Sequence, residues 1–127
     1  MLGLSRDCRW ETLLSCELDV TDCFGNPVRL DHANCVNHVE KRPEIGPHHD
    51  VIADVLTDPD IVVSRQREGI AHYHFYRRDM LAGRSASLYL RVIVRYPGDG
   101  ARGVVVTAWL TSSVDLAGGE LKWLRPR

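Results

Sequence analysis

The spacing of hydrophobic and polar positions changes period twice along the chain. Over residues 10–20, Leu14, Cys16, Leu18 and Val20 alternate with polar neighbours, the period of a half-buried strand. "DCFGNP" follows with turn-forming residues, and Val28–Leu30 resumes the strand, so residues 10–30 predict a hairpin. The spacing then lengthens. Cys35, Val39 and Arg42 fall at i, i+4 and i+7 behind Asp31, a good N-cap, which predicts a helix over 32–42. Pro43 ends it, because the residue before proline avoids helical angles. A second helix is expected from near Pro47, with Val51, Ile52, Val55 and Leu56 as its apolar stripe and "TDPD" at 57–60 closing it. From Ile61 the alternation returns. It predicts strands over 61–65, 70–78, 87–96 and 103–111, with Glu68-Gly69 and "PGDG" as turns. The tail, with "LAGGELKW", reads as irregular. The order predicts one α+β domain over 1–127: an N-terminal β-hairpin and two short helices packed on a four-stranded antiparallel sheet.

A chain of 127 residues with 44% hydrophobic content suits one modest core. No apolar run is long enough to span a bilayer, and the first ten residues lack the apolar centre of a signal peptide. The expectation is a cytoplasmic protein with no membrane partner. In that setting Cys8, Cys16, Cys23 and Cys35 are expected as thiols, and no Cys-x-x-Cys pair marks a zinc finger.

Charge changes this picture. The net value of −1 hides an asymmetry: residues 1–60 carry 5 Lys/Arg against 12 Asp/Glu, and residues 61–127 carry 11 against 5. A basic second half points to an anionic partner, although mutual attraction of the two halves on folding explains the same numbers.

The stretch "NHVEKRPEI" at 37–45 sets His38 on the same helical face as Lys41 and Arg42. A lone helical histidine is commonly structural, as Thr107 is commonly a strand former and Trp109 a core residue. His72 and His74 share one strand face and invite a metal reading with His32 and the cysteines, but no recognised ligand spacing supports zinc.

Several patterns fall together in order. "VTDCFGNPVRLDHANCVNHVEKRPEI" resembles the opening of the phage-associated branch of the barnase–EndoU–colicin–RelE-like nuclease superfamily. "VIADVLTDPDIVV" is similar to its second helix and the Pro-Asp leading into the sheet. "YHFYRR", "LYLRVIVRY" and "VVVTAWLT" are similar to its three long strands. The resemblance spans residues 17–123, and its specificity lies in the order of elements that are each common. The chain departs from the family at Arg42, where histidine is frequent, and at Trp109, where tyrosine is frequent.

The resemblance implies cleavage of RNA without a metal or other cofactor, by attack of the ribose 2′-OH on the adjacent phosphorus. It implies His38 as a proton-transfer group, with Lys41 and Arg42 one turn away favouring the neutral base. Arg42 with Arg77 or Arg78 would stabilise charge on the phosphoryl oxygens, and Thr107 would donate to the same phosphate. Lys41 and Trp109 would bind substrate, the indole by stacking on a base. Alternation sends Arg77 and Arg78 to opposite faces, so only one of them is expected in the site. The implied partners are RNA and a cognate inhibitor protein, in a toxin or prophage setting. Two other classes stay open: an inactive domain of the same fold that binds RNA or protein, and a zinc-stabilised interaction module.

Overall fold

The computed structural model describes residues 17–31, 33, 35, 50–80, 87–98 and 102–126. Two short strands open the described chain, β1 (Leu18–Thr21) and β2 (Pro27–Leu30), paired antiparallel with Leu18 opposite Leu30. The turn between them is held by Asp22, whose Oδ1 accepts from the Phe24 and Asn26 N–H groups at 2.9 and 2.8 Å. Cys35 N–H donates to the Asp31 carbonyl at 3.0 Å, a helical bond consistent with a helix start after Asp31. Beyond Ala33 and Cys35, the helix expected over 32–42 lies outside the described residues.

Helix α1 (Val51–Thr57) buries Ile52, Val55 and Leu56. It stops where expected: Asp58, ahead of Pro59, has φ −146° and ψ 67°. A meander follows, made of β3 (Ile61–Arg67), β4 (Ile70–Arg78), β5 (Tyr89–Tyr96) and β6 (Gly103–Thr111). Glu68 and Gly69 both have positive φ, 55° and 78°, as a two-residue turn that follows the strand twist requires. The chain closes with β7 (Glu120–Leu124).

The architecture corrects the expected one. Among the described residues the sheet has seven strands in the order β1-β2-β6-β5-β4-β3-β7, so the fold is mainly β with one fully described helix, not four strands under two helices. Two contacts account for the difference. The N-terminal hairpin does not stand apart: β2 adds to β6 in parallel, with Val28 beside Gly103. Residues 120–124 form an edge strand antiparallel to β3, where an irregular tail was expected. Neither partner choice leaves a local signature. β2 is four residues long, and β7 exposes Leu121 and Leu124 instead of burying an apolar face.

One face of the sheet carries the core. Val62, Phe75, Val92, Val94, Val105 and Ala108 pack there under Ile52, Val55 and Leu56 of α1, with Val28 and Leu30 at the hairpin end. Cys23 N–H donates to Leu56 O at 2.9 Å and ties the β1–β2 turn to the helix. At Gly103 a Cβ would stand 2.6 Å from the Tyr96 ring, so only glycine lets β6 run beneath that side chain. Cys35 is buried and disulfide-bonded, contrary to the expectation of four thiols, whereas Cys23 is free. Burial, and after it the neighbouring Asp22 carboxylate, pushes the Cys23 thiol up to about 12, which keeps it protonated. No helix among the described residues is long and apolar enough to cross a membrane.

Candidate nucleic-acid interface

The second face of the sheet is built by the complementary positions of the same strands. Cross-strand partners share a face, so the register places three rungs side by side. Arg65, His72 and Arg95 form one rung across β3, β4 and β5. Val63, His74, Ile93 and Thr107 form the next, and Ile61, Tyr76, Arg91 and Trp109 the third. A bulge in β6 makes this possible. Thr107 pairs with Ile93 but Val105 pairs with Val94, so Val106 is the extra residue. Val105 stays in the core while Thr107 and Trp109 turn to the second face. Strict alternation would have kept all three on one side.

Arg65, Gln66, Arg67, His72, His74, Ile93, Val106, Thr107 and Trp109 line a cleft of about 390 Å³ on this face. The segment 112–119 crosses beside it. Arg65 holds that segment by donating to the Ala117 carbonyl at 2.9 Å and by an ion pair with Asp115 at 3.4 Å, and the Asp115 N–H reaches the Tyr76 hydroxyl. Gly119 lies against the Val63 side chain, where a Cβ would collide.

Arg91 is the organising cation. Its guanidinium stands 4.7 Å from the Trp109 ring centroid and 5.3 Å from that of Tyr76. It donates to His74 Nδ1 from Nε at 3.1 Å and from a terminal nitrogen at 2.7 Å. An imidazole nitrogen that accepts carries no proton, so His74 is the neutral tautomer with its proton on Nε2. Burial, and then the Arg91 charge, lowers His74 from 6.5 to about 4. His72 is held differently: its Nδ1 lies 3.0 Å from the Ile70 carbonyl, which only accepts, so Nδ1 is a donor there.

No family model, curated protein or solved structure matches this chain.

Thr107 and Trp109 do come together, two positions apart on one face of β6. Arg77 and Arg78 part as alternation predicts. Arg77 turns to the helix side and pairs with Asp58 at 3.4 Å. Arg78 lies on the second face, stacked 4.6 Å from the Tyr89 ring centroid and bonded to its hydroxyl at 3.1 Å. It is four residues along β4 from His74, about 13 Å at strand rise, so it sits at the far end of the face from Thr107. A second cleft of about 380 Å³ lies there, lined by Arg78, Tyr89 and Arg125. His38, Lys41 and Arg42 lie outside the described residues. Among the described residues, no three histidine, cysteine or acidic side chains gather as metal ligands around His72 and His74.

Arg65, Arg91 and Arg95 were not singled out for the site from the sequence. Their signal was the odd-numbered alternation within the strands, which gives each residue a face but not its cross-strand neighbours.

Proposed function

We propose that the chain is a small metal-independent ribonuclease, of the kind the barnase–EndoU–colicin–RelE resemblance implies, that holds single-stranded RNA against the second face of its sheet. The observation that carries the reading is uncompensated charge. Arg65, Arg67, Arg78, Arg91 and Arg95 all belong to this face, and among the described residues only the Arg65 side chain forms an ion pair with a carboxylate. By contrast, Arg77, on the helix side of the sheet, meets Asp58. Cations left without acidic partners on a face that also presents Trp109 and Tyr89 suit a polyanion with stackable bases.

In this reading Arg67 and Arg95 hold phosphoryl oxygens, Thr107 donates a hydroxyl to the same group, and the Trp109 ring receives a base. His38 takes the 2′-OH proton, with Lys41 and Arg42 beside it in sequence. An inhibitor protein would act by presenting carboxylates to the same arginines. The test is incubation of labelled RNA with the protein in excess chelator. Cleavage is expected, with its loss in His38→Ala at an unchanged thermal midpoint. Undiminished activity of that variant would sink the assignment of His38.

A second reading has its own support. His74, the buried imidazole of the cleft, has Nδ1 occupied by Arg91 and offers only a donor at Nε2, so it cannot serve as a base. That favours a domain that binds RNA without cutting it. Retention of RNA with no cleavage in the same assay would establish it.

A further inference from the structure

We propose that the floor of this cleft reads one nucleobase through the Nε2–H of His74, taking the keto oxygen of uracil or guanine in preference to the amino group of cytosine or adenine; this rests on the RNA-holding part of the reading above. His74 is 7% exposed and lines the cleft. Its Nδ1 accepts from Arg91 at 3.1 and 2.7 Å, and a guanidinium has only donors, so the imidazole proton is on Nε2. Nε2 has no hydrogen-bond partner among the described residues, yet it is not one of their sealed, unsatisfied atoms, so it opens on the cleft.

The surroundings of that donor are graded as a nucleotide is. Arg67 and Arg95 stand exposed at the rim. A phosphate held there keeps part of its hydration, which leaves the base to enter. Ile93, Val106 and the Trp109 indole form apolar wall beside His74. At the floor the base meets a neutral donor, because Arg91 turns two of its donors to His74 and packs against the Tyr76 and Trp109 rings.

Uracil O4 and guanine O6 are acceptors. Cytosine N4 and adenine N6 carry N–H groups at the corresponding place, so they set donor against donor. A donor stranded in so enclosed a position loses its bond to water and gains none, which costs more than the hydrogen bond itself contributes. That asymmetry makes the discrimination about tenfold or more. The ring cannot escape by changing tautomer or turning over, since a proton on Nδ1, or a flip, breaks both bonds from Arg91.

The probes are fluorescein-labelled 2′-O-methyl hexamers of uridine, cytidine and 4-thiouridine, which have no 2′-OH to attack phosphorus and so stay intact. Affinities are read by anisotropy at one salt concentration, because the phosphate contribution depends on salt. The uridine hexamer is expected to bind about tenfold more tightly than the cytidine hexamer. Sulfur is a weaker acceptor than oxygen, so 4-thiouridine should lose about threefold or more against uridine. His74→Leu is expected to bring uridine down to the cytidine affinity. His74→Gln, whose amide accepts from Arg91 and donates into the cleft, should keep a preference. The sulfur substitution tests the contact in the wild type, so a folding defect in either variant does not hide the answer. Equal affinity for uridine and cytidine, tighter binding of cytidine, no loss with sulfur, or a uridine preference that survives His74→Leu would overturn the role of His74 and leave the RNA-binding reading standing. A wild type that binds none of the hexamers would overturn that reading, and the role of His74 with it.

Discussion

Lowering the pH forces a proton onto a histidine that the fold holds neutral. His74 is only 7% exposed, and burial with the Arg91 charge places it at about 4 against the ordinary 6.5. Its folded value is below the unfolded one, so between those two values the unfolded chain binds more protons. The stability contributed by neutral His74 is therefore complete above pH 6.5 and is lost progressively as the pH falls to about 4. Full titration corresponds to about 3 kcal/mol, and about 2 kcal/mol of that is gone by pH 5. The assay is urea denaturation at pH 7.5 and pH 5, for the wild type and for His74→Gln, whose amide oxygen can still accept from Arg91. At a slope of about 1.5 kcal/mol per molar urea, the wild-type midpoint should drop by about 1 M more than that of the variant. Equal shifts in the two proteins would refute the claim that His74 is held neutral by its surroundings.

Arg91→Leu should raise the His74 titration midpoint above about 4, followed by NMR of the ring protons. The midpoint should stay below 6.5, because burial, the larger cause, remains. Asp22→Ala removes a carboxylate that is only 4% exposed and that accepts from two backbone N–H groups and the Tyr96 hydroxyl. With those donors stranded, the loss should be about 2–4 kcal/mol, or a melting temperature lower by about 10 °C. A fall of under 2 °C would show that this turn does not depend on the carboxylate.

The long strands were legible because their alternation is sustained. Residues 70–78 and 103–111 form strands over the expected ranges, and α1 carries its expected apolar stripe. The hairpin at 18–30 was legible from its turn residues, but its parallel docking on β6 was not, because a four-residue strand does not encode its distant neighbour. The strand at 120–124 was hidden by exposed Leu121 and Leu124 behind two glycines. The site shows the same division. Alternation separated Arg77 from Arg78 and kept Thr107 with Trp109. It did not reveal that Arg91 lies between Tyr76 and Trp109, because that depends on register across three strands. Nor did it reveal the bulge at Val106, which turns Thr107 away from the core that holds Val105.

The most direct test of an RNA-cleaving second face is the chemistry of the cut ends. Labelled single-stranded RNA is incubated with the wild type in excess chelator, and the new termini are probed with polynucleotide kinase. The expected ends are 5′-hydroxyls, with a loss of both binding and cleavage when Arg91 and Arg95 are replaced together. Intact RNA, or 5′-phosphate ends that form only when a divalent metal is restored, would contradict it.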